Sequence, residues 1–197
     1  MPKSRWLVTA LVLSALAISG AAAANLPRPS PDFAINLGPG KQLKLSQYKG
    51  KPVVLAFILT YCSHCQRTVG FLSKDQQEFG DRVQVVASAI EDMAAAALPG
   101  FMRQFAPPFP VGYNKNSEAI DYLQHPPMLI LSMPALVFID RNGVIQAQYE
   151  GGDKQFFEQA AHEKNLHDKI EELIKMGAAP AGKNISKKGG SPAKKKS

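Results

Sequence analysis

Lys51-Pro-Val-Val-Leu-Ala-Phe-Ile-Leu-Thr-Tyr-Cys62-Ser-His-Cys65-Gln66 is the stretch that decides the fold. It holds both cysteines of the chain, separated by two residues. The apolar run from Val53 to Leu59, rich in β-branched and aromatic residues, reads as a buried strand of a sheet covered on both faces. Past the second cysteine the period changes. Cys65, Val69, Leu72, Gln76 and Phe79 fall at helical spacing, and Gly80 is placed to end the helix. Cys62 therefore stands where a strand gives way to a helix, with Cys65 one turn inside. Unpaired backbone N–H groups and the positive end of the helix dipole favour a thiolate at that place.

Working outward, residues 25–31 form a proline-containing extended lead-in, and Asp32 to Leu37 alternates as a short strand does. The turn Gly38-Pro39-Gly40 leads to a candidate hairpin partner at Gln42 to Leu45. Beyond the cysteine helix, Arg82 to Ala87 is a second buried strand, parallel to the first and reached by a right-handed crossover. Glu91 to Phe105 has a helical pattern that Pro99-Gly100 should interrupt or kink. A strand at Phe109 to Tyr113 precedes a helix at Ser117 to Leu123, which Pro126-Pro127 terminates. Pro134 to Asp140 and Val144 to Tyr149 make an antiparallel hairpin about Arg141-Asn142-Gly143. After Gly151-Gly152, one long helix is expected from Asp153 to Met176, with Phe156, Ala160, Ile170, Leu173 and Ile174 on its apolar side. The sum is an α/β sandwich, helices on both faces of a mixed sheet.

The 197 residues suffice for one domain with a sizeable core. Residues 1–24 have the layout of a secretory signal peptide: Lys3 and Arg5, an apolar Trp6 to Ile18, and a small-residue cleavage site at Ala22-Ala23-Ala24. The domain is expected over 25–177, with a lysine-rich, core-free tail over 178–197. Of the formal charge of +7, two units belong to Lys3 and Arg5 and six to the tail lysines, which leaves −1 for the body between them. No nucleic-acid-binding face is indicated. The tail has the charge to touch anionic surfaces, although a plain solvated tail is the better explanation.

These residues carry a family likeness. The chain resembles the thioredoxin-fold superfamily, specifically its secreted TlpA-like and redoxin (AhpC/TSA-related) branch. Four stretches match in order: Pro31-Asp32-Phe33, then Gly50-Lys51-Pro52 with the strand into Cys62-Ser63-His64-Cys65, then Ser132-Met133-Pro134, and last Phe138 to Gly143. The resemblance implies a thioredoxin-like fold with a central mixed sheet. It implies a cis proline at Pro134 facing the cysteine pair, and substrate binding by Ser132, Met133 and Pro134. Three positions depart from the pattern. Tyr61 replaces the common tryptophan. Ala56 replaces the buried polar or acidic residue that would take a proton from Cys65. The approach to Pro134, from His125 through Ser132, is more apolar than usual and suits a hydrophobic partner surface.

The chemistry expected is thiol–disulfide exchange with protein thiols and disulfides, Cys62 attacking and Cys65 resolving, the pair cycling through a Cys62–Cys65 disulfide. An inert structural disulfide is the plainer alternative, but so short a loop adds little chain-entropy stabilisation. Tyr61, Ser63 and His64 are the candidates for tuning the redox pair, and an imidazole beside the helix start would favour the Cys62 thiolate. His64 points to an oxidant and the TlpA-like context to a reductant, so the direction of electron flow stays open. No bound cofactor or metal is required. A membrane redox partner is implied, with an exported and periplasmic location.

Two other classes remain. Peroxiredoxins share the fold, but their Pro-x-x-x-Thr-x-x-Cys pattern meets Leu55 and Leu59 here, with Thr60 displaced by one. A copper(I) chaperone of the Sco-like type would use two thiolates and a histidine, although those proteins carry three residues between the cysteines. His162 and His167 on the last helix read as surface residues.

Overall fold

A computed structural model describes residues 25–176. The expected signal peptide and lysine-rich tail lie outside them. The elements in order are β1 (Arg28–Pro29), β2 (Ala34–Gly38), β3 (Lys41–Lys44), β4 (Val53–Ile58), α1 (Ser63–Phe79), β5 (Gln84–Ala89), α2 (Ala94–Phe105), β6 (Val111–Tyr113), α3 (Asn116–Leu123), β7 (Ala135–Ile139), β8 (Val144–Glu150) and α4 (His162–Lys175). One mixed sheet takes the strands in the order β1-β8-β7-β4-β5-β6-β2-β3. β4 runs parallel to β5 and antiparallel to β7, so the crossover through α1 joins parallel neighbours as its length requires. The expected hairpins β2–β3 and β7–β8 both form. The lead-in does more than extend: Arg28 and Pro29 pair with Ile145 and Val144 as the edge strand.

All six residues of β4 are buried because the sheet has helices on both sides. Val54, Ala56 and Ile58 enter one core with α1, α2 and α4, while Val53, Leu55 and Phe57 enter a second with α3 and the β2–β3 hairpin. The strand's period of two thus feeds both layers from one segment. Burying each such large side chain stabilises the fold by roughly 1.5–3 kcal/mol. In the second core, Phe33 meets Phe57 edge-on with ring centres 5.5 Å apart and lies 4.9 Å from Tyr122.

α1 ends where expected, at Gly80, whose φ of +55° a residue with a side chain would resist. Gln76 is half-buried rather than a core residue. Its Oε1 accepts from the Val85 amide at 2.7 Å and its Nε2 donates to the Gly80 and Val83 carbonyls, clamping the end of α1 to β5. α2 runs unbroken through Pro99, so the interruption offered as one of two outcomes does not occur. The reason lies in its faces: Ala94, Leu98 and Phe101 anchor the inner side. Pro99 and Ala95, whose carbonyl loses its partner, both face solvent.

The last helix is shorter than expected. Residues 153–161 form turns, and α4 begins at His162. The Asp153 carboxylate accepts the Phe156 amide at 3.0 Å, and the Asn165 side chain donates to the Gln155 and Phe156 carbonyls, which holds the turn in place of a helix. Phe156 is buried as expected, but Ala160 is exposed. Neither histidine of α4 is a free surface residue. His162 is only 4 % exposed and lies edge-on to Phe71 and Phe157. His167 hydrogen-bonds the buried Asp75 at 2.8 Å and stacks on Phe79.

One glycine constrains the end of the β7–β8 hairpin. A Cβ on Gly151 would stand 2.3 Å from the Met133 carbonyl oxygen, so only glycine lets the end of β8 lie against residues 132–134. Gly151→Ala should displace that segment and slow any reaction that uses it, while far-ultraviolet circular dichroism stays native. Unchanged kinetics would show the contact to be slack. A second expectation concerns pH. Burial, helped by Arg67 and His64, holds His162 below its ordinary pKa of 6.5. The unfolded chain therefore takes a proton there at higher pH than the folded chain, and stability falls as pH drops below neutrality. His162→Phe should flatten that fall in Tm between about pH 7.5 and 5. Parallel Tm curves for variant and wild type would contradict it.

Candidate active site

Cys62 is the N-cap of α1, in extended backbone (φ −80°, ψ 119°), and its carbonyl accepts the Gln66 amide at 2.9 Å. The turn Leu59-Thr60-Tyr61 that delivers it closes with the Cys62 amide donating to the Leu59 carbonyl at 3.1 Å. This half-buried thiol stands at the N-terminal end of α1, where the first turn's N–H groups lack helical partners, and its side chain makes no capping hydrogen bond. Cys65 is a turn further on and fully buried in the core beneath it. Its Sγ accepts the Leu59 amide at 3.4 Å. Burial pushes the Cys65 thiol far up. The Leu59 N–H opposes that shift, and the nearby Cys62 and Glu91 add to it. Both thiols are free in this structure.

Tyr61, Ser63 and His64 all project outward on this first turn, Tyr61 being 73 % exposed. Among the described residues the His64 ring makes no hydrogen bond to either sulfur; its carbonyl accepts the Thr68 hydroxyl within the helix. The peptide between Met133 and Pro134 is cis. Pro134 is buried and Ser132 and Met133 half-buried, and Met133 packs, as Cys62 does, on the core around α1. The Ser132 carbonyl accepts the Gly151 amide at 2.9 Å, whereas the amide and carbonyl of Met133 have no backbone partner among the described residues. The structure thus brings the cysteine pair and the cis-proline segment to one end of the sheet.

A groove of about 420 Å³ lies beside them, lined by Leu59, Tyr61, Ile90, Glu91, Asp92, Leu129, Ile130, Leu131 and Met133 among others, with neither cysteine in its lining. The apolar approach noted in the sequence forms its outer wall, with Met128 and Ile130 each 92 % exposed. Its base is anchored by the buried His125, whose Nδ1 lies 2.9 Å from Glu150 and whose Nε2 lies 3.2 Å from the Leu129 carbonyl.

Glu91 was not singled out by the sequence reasoning. It follows Ile90 directly beyond β5, and its Oε1 accepts both the amide of Thr60, at 3.1 Å, and the Thr60 hydroxyl. The available signal was positional: sites on α/β sheets form at the carboxyl ends of parallel strands, and both Cys62 and Glu91 lie there. Elsewhere, Asp75, Glu78 and His167 bring potential metal-ligating atoms within 4.8 Å of one another, with Asp75 already hydrogen-bonded to His167.

Comparison with known proteins agrees with this geometry. The thiol-disulfide oxidoreductase ResA of Bacillus thuringiensis subsp. konkukian is 23% identical over 127 residues, covering 64% of this chain and 70% of its own length. The thioredoxin-like protein YneN of Bacillus subtilis is 30% identical over 126 residues, covering 62% of this chain and 69% of its own. A putative thiol:disulfide interchange protein DsbE from Chlorobium tepidum superposes with a TM-score of 0.62 at 23% identity, over 75% of this chain and 96% of that one. The thioredoxin domain of a thiol-disulfide oxidoreductase from Bacteroides vulgatus does so with a TM-score of 0.59 at 17% identity, over 75% of this chain and 96% of its own. At such identities the solved structures establish the fold, which is thioredoxin-like. The AhpC/TSA family model matches residues 27–148, well over half of the sequence. On that match and the YneN likeness, the chain belongs to the AhpC/TSA family.

Proposed function

We propose that the protein is an exported thiol–disulfide oxidoreductase that exchanges a Cys62–Cys65 dithiol or disulfide with protein substrates. One observation carries the reading: a half-buried thiol caps a helix, with a second thiol fully buried one turn behind it. The activity that the ResA relatives' name prints supports it.

In the reducing direction the Cys62 thiolate attacks one sulfur of a substrate disulfide. The substrate's other sulfur leaves with the electron pair and takes up a proton, and Cys62 is left in a mixed disulfide. Cys65 then gives up its proton and attacks the Cys62 sulfur. The Cys62–Cys65 bond forms and the second substrate sulfur departs as a thiolate. In the oxidising direction the same steps run in reverse. The unpaired amide and carbonyl of Met133 suit an extended substrate segment laid along Ser132, Met133 and Pro134. The outer wall at Met128 and Ile130 suits apolar residues beside the substrate cysteine. Tyr61, Ser63 and His64, outward on the first turn, set the surroundings of the Cys62 sulfur. The leader-like residues 1–24 favour a periplasmic site of action, outside the reducing cytosol, with electrons exchanged through a membrane redox partner. The tail lysines suit contact with an anionic surface.

Cys65→Ser should trap substrates as mixed disulfides on Cys62, visible on non-reducing gels and lost on adding dithiothreitol. Cys62→Ser should trap none and reduce insulin no faster than the uncatalysed background. Turnover by Cys62→Ser at the wild-type rate would falsify the assignment. The reduction potential of the pair decides direction: a value near the −270 mV typical of thioredoxin marks a reductant, and a much higher one an oxidant. Ile130→Ser should raise KM for a protein substrate roughly tenfold, the loss expected for one apolar side chain kept from full burial. Its rate with dithiothreitol, which needs no docking, should stay unchanged; equal KM values would remove the wall from the binding site.

A further inference from the structure

Resolution of a mixed disulfide requires a proton to leave Cys65, and the fold makes that difficult. The thiol is fully buried, and Ala56 on the adjoining strand offers no group to receive the proton. The turn that carries Cys62 supplies the clue. Leu59 donates its amide to Cys65 Sγ, and the next residue, Thr60, donates its amide to Glu91 Oε1. Two consecutive amides therefore anchor the thiol and a carboxylate to the same turn. The carboxylate is close enough for its charge to disfavour the Cys65 thiolate. While Oε1 is held by both Thr60 donors, the other oxygen, Oε2, is buried and has no hydrogen-bond partner among the described residues.

We infer that Glu91 is the proton acceptor and donor for Cys65, a carboxylate from β5 in place of the acid that β4 lacks at Ala56. This deepens the exchange reading and rests on it. In the resolving step the Cys65 S–H proton passes to Glu91 Oε2. The sulfur's electron pair forms the bond to Cys62, and the substrate sulfur leaves with the pair from the broken bond. When the pair is reduced again, the protonated Glu91 returns the proton to Cys65. The resolving step needs no oxidant beyond the substrate disulfide; in the later reduction the thiolate of a partner dithiol attacks Cys62, Cys65 leaves with the electron pair, and the partner is left oxidised.

The neighbouring ionisable groups are not placed for this role. Cys62 is in the mixed disulfide when the proton must leave. Tyr61 and Asp92 are exposed at the groove mouth. At the β6–α3 junction behind Glu91, Glu118 already accepts from the Asn114 side chain and the Lys115 amide, and the Tyr113 and Lys115 side chains line the adjoining cavity.

Glu91→Gln tests the assignment because it keeps an oxygen for the Thr60 donors while removing both the ability to take a proton and the negative charge, two losses that move the resolving rate in opposite directions. The two steps are read separately by rapid mixing of the full chain with a disulfide-bonded peptide. Attack by Cys62, followed in the Cys65→Ser background with and without Glu91→Gln, should be unchanged. Its disappearance in Cys65→Ser alone would instead sink the exchange reading itself. Resolution by Cys65 in the Glu91→Gln single variant should slow about 10²–10⁴-fold near neutral pH, the usual contribution of a positioned acid–base group. It should then recover with rising pH as hydroxide takes over. A purely electrostatic Glu91 predicts the opposite sign: removing its negative charge would ease formation of the Cys65 thiolate and speed resolution. Resolution as fast as wild type or faster, with an unchanged pH profile, overturns the proposal. Glu91→Asp supplies the second variant, and should restore part of the rate if the carboxylate acts on the proton.

Discussion

The Leu59 amide that donates to Cys65 Sγ ties the end of the central strand to the first turn of α1. From that bond the geometry of the site follows. β4 must stop at Ile58 for the Leu59 amide to leave the ladder and turn toward sulfur. The chain must then reverse through Thr60 and Tyr61, which brings Cys62 to the helix start. Because Cys65 is fixed inside and Cys62 outside, the two thiols differ in accessibility, and burial raises the pKa of Cys65, though only two residues separate them. A dithiol with equivalent sulfurs would have no reason to use one for attack and the other for resolution. Here burial makes the distinction.

That arrangement depends on the sheet being packed on both faces. β4 sends alternate side chains into two separate cores, and the larger contains Cys65 beside Val69 and Leu72. The cis-proline segment is held against the same end by Gly151 and by the Ser132 carbonyl, so β7 and β8 carry the cis-proline edge while β4 and α1 carry the sulfur. Function thus sits where four elements meet, and each is also a core element. Its precision comes from packing, and the exposed apolar wall at 128–131 is the one part free of that constraint.

Much of this was legible in the sequence. The run Val53 to Leu59, the change of period after Cys65 and the stop at Gly80 are local signals, and each has one economical structural answer. The hairpins at β2–β3 and β7–β8 were legible for the same reason. Illegible were features in which a side chain bonds something distant. Asp153 and Asn165 stop a helix that periodicity alone would extend over residues 153–161. Pro99 is tolerated because its face of α2 is exposed. His162 has the composition of a surface residue but sits among Phe71, Phe156 and Phe157. Glu91 looked like the first residue of a helix, and only the fold sets it against Thr60.

The sequence by itself determined that a cysteine pair would stand at the mouth of a helix after a buried strand, because periodicity and helix-end chemistry act over a few residues. It also determined the αβ order, and with it a parallel pair of strands about the dithiol. Only the tertiary structure decided which acid lies beside Cys65 and which backbone groups stay unpaired at Met133. It alone decided that a proline-bounded apolar loop would wall the groove beside Tyr61 and Met133. Those outcomes depend on residues more than twenty positions apart meeting across the sheet, and no local pattern encodes which chain crossing brings them together.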